Sequence, residues 1–228
     1  MLNLTAGGLS GGYKKYLQRL VPLLRTHSAI SELLVAVPPG FESMQGVGAG
    51  ALSWRPGDHW RGYPALRQQV RNWKPDVVLI PTARYLDCGA PVVSMVRNMQ
   101  PMLPPTFRDG IPAWAKNHAG AIIARRACHA STRVIAVSSF VRNYLVDKWL
   151  VDPRRLGVVY HGVDAADEVP LPEILRPLAN TPYVFVAGSL LPYRGVEDAV
   201  AALAHLDAAI KLVVAGDGSD AYKARILA

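Results

Sequence analysis

The chain has 228 residues, half of them hydrophobic and 18% charged, with a net charge of +8. That balance excludes a disordered chain and leaves core enough for one large domain or two ordinary ones, while no run approaches the roughly eighteen apolar residues of a membrane span. The excess of cations favours acidic partners such as nucleotide diphosphates or an anionic lipid surface, or serves solubility alone; nucleic acid is set aside, because no zinc spacing, helix-turn-helix or aromatic RNA-binding signature accompanies the charge.

Cys88 and Cys128 lack metal or redox spacing and read as reduced thiols. With no signal peptide opening the chain, a cytoplasmic location is expected. Residues 2–5 read as a scrap of strand, short for the first strand of an α/β domain. They run into a glycine-rich stretch ending in Gly11 and Gly12, and then into a helix over 13–26 in which Tyr13, Leu17, Leu20 and Leu24 share one face. Glycines between a strand and a helix let backbone amides approach a phosphate closely. The spacing fits neither Gly-x-Gly-x-x-Gly nor a P-loop, and a simple tight turn is the other reading.

Residues 33–37 form the next expected strand, closed by Pro38, Pro39 and Gly40. No element is assignable over 41–62, where Trp54, Trp60 and the following Tyr63 either make a sugar-stacking platform or pin a loop to the core. A helix over 63–73 leads into a strand at 77–80, and a further strand covers 91–96. Arg97 and Asn98 then open a loop at a strand end, where α/β domains keep their ligands. An amide there can bond a sugar hydroxyl and a guanidinium a phosphate, or both can hold the loop together. His118 and His129 lie in a helical stretch over 113–129 and read as surface or packing residues.

A strand over 133–137 precedes Ser138 and Ser139, either of which can cap a helix whose apolar side is Val141, Tyr144, Leu145 and Trp149. Asp152 and Pro153 break the chain, a strand follows over 156–160, and His161-Gly162-Val163-Asp164 comes next. Residues 165–182 hold four prolines and no periodicity, as a linker does. The run Tyr183-Val184-Phe185-Val186 has no polar alternation and reads as a buried strand. Gly188 ends it, and Val196, Val200, Leu203 and Leu206 recur at helical spacing after Gly195, with Glu197 and Asp198 in the first turn. Arg194 stands immediately before that helix. A strand over 211–215 ends in Gly216-Asp217-Gly218, and a last helix begins with Tyr222, Ile226 and Leu227. Strand, helix and strand make a βαβ half of a nucleotide-type fold, with a cation and a helix N-terminus at one crevice.

Gly188, Leu190, Gly195, Val196, the acids Glu197 and Asp198, and Gly216-Asp217-Gly218, in that order, resemble the start of the C-terminal domain of GT-B glycosyltransferases of the retaining group called family 4. His161-Gly162-Val163-Asp164 resembles the signature that closes that family's N-terminal domain. Four places depart from its pattern: Ser189 stands where the family has arginine, Arg194 where it has lysine and His161 where it has asparagine. Arg97 and Asn98 stand where many members carry a histidine.

The resemblance implies an α/β chain of GT-B type. A Rossmann-like, acceptor-side domain would cover 1–164, a linker 165–182, and the first half of a second Rossmann-like domain, strand, helix and strand, 183–228. It implies a nucleotide-diphosphate sugar as co-substrate, neither cofactor nor metal, and a glycan, lipid-linked or small-molecule acceptor; a peripheral contact at the inner membrane face is compatible with the charge. In that reading Arg194 and Asn98 are catalytic. Gly11, Gly12, Gly188, Ser189, Gly195 and Gly216 lie at the donor, and Arg97 and His161 touch sugar or acceptor. The family's next segment, with its pair of glutamates, is missing from these 228 residues, so a fragment that transfers sugar poorly or not at all is expected, with an exposed sheet edge and apolar faces that the missing half would cover. A non-catalytic nucleotide- or partner-binding relative is the alternative. A nicotinamide-dependent dehydrogenase is disfavoured by the absent glycine fingerprint and ribose acid.

Overall fold

Apolar runs alternating with helical spacing fold as parallel strands, because each intervening helix carries the chain back across the sheet before the next strand begins. A computed structural model describes residues 1–2, 4, 11–37, 51–53, 61, 63–99, 102, 110–163, 170, 172–191 and 194–227, the side chains of 11–14, 37, 51–53 and 110–113 excepted. Two units divide the chain, Met1–Gly162 and Val163–Ala228.

In the first unit the order is α1 (Gly11–Thr26), β1 (Val35–Val37), β2 (Ala51–Ser53), α2 (Pro64–Trp73), β3 (Val78–Ile80), β4 (Val92–Val96), α3 (Gly110–Ala130), β5 (Arg133–Ala136), α4 (Ser139–Asp147) and β6 (Leu156–Val158). β2 lies within the stretch where no element was assignable from sequence. All strand pairs are parallel, with β1 on β2 and the run β3-β4-β5-β6 beside them. The scrap of strand at the N-terminus joins the two groups: Leu2 bridges Ala36 of β1 and donates its amide to the Leu79 carbonyl of β3 at 2.8 Å. Counting that scrap as the first strand, the sheet runs third, second, first, fourth onward, so the order reverses beside Leu2, the switch point of a doubly wound sheet.

Both faces of this sheet are covered, since successive side chains of a strand point to opposite sides. Leu79 packs with Leu17 and Val21 of α1, while Val78 and Ile80 pack with Leu66 and Val70 of α2. A second cluster joins Val96, Cys128 of α3, Val134, Ala136 and Leu145 of α4. Both cysteines are free and buried, and burial pushes the Cys128 thiol up to about 12. Tyr63 is packed against the core and donates its hydroxyl to the Leu4 carbonyl at 3.3 Å, so it pins the chain. Trp54 and Trp60 lie outside the described residues.

The second unit holds a 3₁₀ segment (Glu173–Leu178), β7 (Tyr183–Ala187), α5 (Val196–Leu203), β8 (Lys211–Ala215) and α6 (Asp220–Leu227), with β7 and β8 parallel. Two expectations fail here. The apolar run of β7 is a strand but not a buried one: Tyr183, Val184 and Phe185 are 41%, 41% and 53% exposed. Val196 of α5 and Tyr222 and Ile226 of α6 pack on Val186 and Val214, while Tyr183 and Phe185 on the other side of the sheet stay exposed among the described residues. Leu206 lies beyond the last residue of α5 and is exposed, because the helix ends at Leu203 in a tightened turn, Leu206 donating its amide to the Leu203 carbonyl.

Candidate functional site

Parallel strands deliver their following loops to one edge of the sheet, and in doubly wound folds ligands bind there, nearest the switch point. In the first unit that edge gathers the starts of two helices and the ends of three strands. Gly11 and Gly12 are the first residues of α1; residues 5–10 of the glycine stretch lie outside the described residues. Arg97, half-buried, and Asn98, exposed, follow β4 directly, and each is engaged in contacts. Ser138 and Ser139 follow β5. Ser138 is the cap, its hydroxyl accepting from the Val141 amide at 3.2 Å. That leaves the Ser139 hydroxyl to meet the Tyr160 hydroxyl at 2.9 Å, tying the start of α4 to the end of β6.

His161, one residue on, is exposed but not isolated. The Tyr16 ring from α1 meets it edge to face, 5.1 Å between centroids at 72°. Burial pushes the Tyr16 phenol up, and the nearby Arg97 guanidinium offsets part of that rise. Tyr16 therefore stays protonated at neutral pH, a hydrogen-bond donor beside a cation and an imidazole. The structure thus brings Arg97, Tyr16 and His161 to one place, and Tyr16 was missed from sequence. Its signal was its spacing, for Tyr16, Leu20 and Leu24 repeat every four residues and all three pack against the cluster of Leu17 and Val21.

In the second unit the corresponding edge is shaped by backbone. Gly188 has φ +146°, a conformation essentially closed to side chains. A Cβ on Gly216 would sit 1.7 Å from the Gly188 carbonyl oxygen, and one on Gly218 would sit 2.4 Å from that of Leu190. The two loops run side by side past the ends of β7 and β8, joined by the Gly188 amide to the Ala215 carbonyl at 2.9 Å and the Leu190 amide to the Asp217 carbonyl at 2.8 Å. Gly216 and Gly218 thus have a structural reason of their own, the contact between neighbouring loops. Ser189 is exposed on the first of them.

Arg194 is exposed, its amide held by the Leu191 carbonyl at 2.8 Å, and it has a further interaction besides. Gly195 caps α5 in the left-handed region, φ +73°, with no side chain to take the amides of the first turn. A helix start left in that state can receive an anion's oxygens. Two acids near these loops are matched by cations of α6. Arg225 pairs with Glu197, and Lys223 pairs with Asp217 at 2.7 Å, holding its carboxyl below the usual carboxylate range together with the Gly218 amide. Among the described residues no three His, Cys, Asp or Glu side chains gather as a metal-binding group.

The sequence signature of Glycosyltransferase Family 4 matches residues 38–167, more than half of the chain and almost all within the first unit. No curated protein matches the sequence. Among solved structures, HepE of Anabaena in complex with UDP-glucose superposes with a TM-score of 0.67 at 17% identity over 99% of this chain and 64% of that one. The same protein in complex with UDP gives 0.66 at 15% identity over 99% and 62%. A glycosyltransferase from Rickettsia africae gives 0.60 at 16% identity, again over 99% and 62%. The chain thus spans a little under two thirds of the length of these structures, whose α/β fold it shares.

Proposed function

The chain belongs to glycosyltransferase family 4, and from that premise we propose that it serves the transfer, with retention, of a sugar from a nucleotide-diphosphate donor to a glycan or lipid-linked acceptor. The observation that carries the reading is the edge of the second unit. There Gly188 and Gly216 bring backbone close together past the strand ends beside the exposed Ser189, and Arg194 with the start of α5, capped by Gly195 without a side chain, follows within a few residues. Negative charge grows on the leaving diphosphate in such a transfer. A guanidinium and helix amides fixed in advance stabilise that charge without reorganising, and arginine in place of lysine can grip two phosphate oxygens at once. Binding of UDP-glucose and UDP by HepE supports a nucleotide-sugar donor. Tyr16, Arg97 and His161 in the first unit are the candidates for the acceptor or the sugar, with Asn98 beside them offering a neutral amide to a hydroxyl. Charge is handled by Arg194 and amides in this reading, so transfer should persist in EDTA.

The test is direct. Titrating UDP-, GDP- and ADP-sugars against the whole protein, of which these 228 residues are expected to transfer poorly on their own, should find one that binds, and labelled sugar should pass from it to acceptor with its anomeric configuration kept. Arg194→Ala should lower turnover on the order of a hundredfold while the melting curve stays in place. Failure of every nucleotide sugar to bind would overturn the reading. Binding without transfer would favour a non-catalytic binding protein, a reading helped by Ser189, whose hydroxyl offers the diphosphate less charge than the family's arginine.

A further inference from the structure

α6 is tied to both loops of the second unit's strand-end edge within its first two turns. Lys223 pairs with Asp217 between Gly216 and Gly218 at 2.7 Å, and Arg225 pairs with Glu197 in the first turn of α5. Tyr222 is anchored beside them by its amide, which donates to the Ser219 carbonyl at 3.0 Å. The Arg225 guanidinium lies over its ring, 5.2 Å from the centroid. Leu190 and Val196, which stand at either side of Arg194 in the chain, share one apolar cluster with that ring, as do Val186 and Val214 of the sheet.

An apolar residue would serve at this place, yet Tyr222 carries a hydroxyl. The residue is 6% exposed, its oxygen is shut off from water, and that oxygen has no hydrogen-bond partner among the described residues. Tyr144 of the first unit shows the ordinary arrangement, being half-buried and donating its hydroxyl to the Met102 carbonyl at 2.7 Å. A hydroxyl buried without a partner costs more than a made hydrogen bond gains, and phenylalanine would fill the same space without that cost. The packing of α6 therefore accounts for the ring and leaves the oxygen unexplained. A state of the molecule in which a partner is supplied would explain it.

We propose that Tyr222 is a positioning residue for the diphosphate site, its hydroxyl donating to a backbone carbonyl beside Arg194 when a nucleotide diphosphate settles on the start of α5. No surface of the oxygen is open, so a ligand does not reach it, and the partner is backbone that the ligand draws into place. Leu190 and Val196 bring such backbone to the ring, because the chain between them holds Arg194 and leads into the amides that meet the anion. The free protein carries the cost of an unbonded hydroxyl and the complex is relieved of it, which strengthens diphosphate binding without a new contact to the ligand. The role rests on the reading of the α5 start as the diphosphate site, and it adds the residue that fixes that site's geometry.

Tyr222→Phe in the whole protein separates this role from packing. The variant keeps the ring and loses only the unbonded oxygen, so it should melt no lower than the parent and up to about 4 °C higher. The same change should weaken binding of UDP, GDP or ADP, whichever the parent binds, about tenfold in a calorimetric titration. Tyr144→Phe is the control: it loses a bond already made, so it should melt about 2–4 °C lower and bind the nucleotide as the parent does. A Tyr222→Phe protein that melts lower than the parent would mean a hydroxyl already bonded in the free protein, and would overturn the proposal. Equal nucleotide binding by Tyr222→Phe and the parent would overturn it too, while leaving the diphosphate reading in place. A parent that binds none of the three nucleotides would remove the diphosphate site and this role with it.

Discussion

The two units are built from the same kind of strand and bury it to opposite degrees. Ile80 of β3 and Val96 of β4 are fully buried, whereas Val184 and Phe185 of β7 are 41% and 53% exposed. Nothing in the apolar runs themselves separates these cases. What differs is the layering: α1 and α2 take opposite faces of β3, while α5 and α6 both pack on Val186 and Val214. An apolar run therefore reports what a strand can bury, and only the helices around it decide what it does bury. The two sheet edges differ in a second way. Side chains tie the loops of the first unit together, through Ser139 with Tyr160 and Tyr16 with His161, whereas the second unit relies on backbone bonds past glycines.

The sharpest way to break the comparison is to truncate one residue of each kind. Leu145 of α4 is fully buried among Val134, Ala136, Val141 and Trp149. Leu145→Ala should cost about 2–5 kcal/mol, from lost transfer energy and the cavity left behind. Phe185→Ala removes a larger side chain but should cost less than about 1 kcal/mol, since much of that ring is already in water. Urea denaturation of both variants measures this. A cost above about 2 kcal/mol for Phe185→Ala would mean that the bare face is covered in solution.

The contrast also explains what could be read from sequence. Strands and helices were legible throughout the regular parts of the chain because period and punctuation are local: β7 and β8 were expected at 183–186 and 211–215, and α4 follows the serine that caps it. β2 escaped because three residues among glycines carry no period. The run of β7 read as buried, although exposed apolar faces were expected of so short a second half, because coverage is a property of other segments. At the site, the residues following each strand were legible as positions, since loops at strand ends are where α/β folds place ligands. Tyr16 was legible only as a packing position of its helix, because its contact with His161 joins the two ends of the first unit and no spacing encodes that. The family likeness was carried mainly by Gly188 to Gly218, with only His161-Gly162-Val163-Asp164 from the stretch 38–167 that the family signature matches. Glycines forced by backbone contact are conspicuous to the eye, and a signature spread over a whole α/β domain is not.

A smaller effect separates glycines that are required from glycines that are merely present. Gly216→Ala drives a methyl group into the Gly188 carbonyl, so the paired loops must part. An expected cost of about 1–3 kcal/mol follows, with weaker nucleotide-sugar binding beside it. Gly162→Ala, at the last residue of the first unit, meets nothing within 4 Å and should leave stability unchanged or slightly raised. Denaturation and nucleotide titration of the pair give both readouts. Equal costs at the two positions would mean that the loops of the second unit are not held together as described.

The smallest effect concerns the serines that open α4. Ser138 takes up the Val141 amide, one of the four at a helix start that have no partner within the helix, so Ser138→Ala should cost about 1 kcal/mol. Ser139→Ala breaks only an exposed bond to Tyr160, whose partners water can replace, and should cost at most about 0.5 kcal/mol. α5 has no such bond to lose, because Gly195 caps it without a side chain. A serine at Gly195 could supply one, but it would have to hold a φ of +73° with its Cβ 3.2 Å from the Asp198 carboxylate, so the strain offsets the cap. Urea denaturation should therefore find Ser138→Ala destabilised and Gly195→Ser no more stable than the parent. A stabilised Gly195→Ser would show that the start of α5 was open only for want of a hydroxyl. An unstabilised one fits a backbone shaped to leave those amides for a ligand.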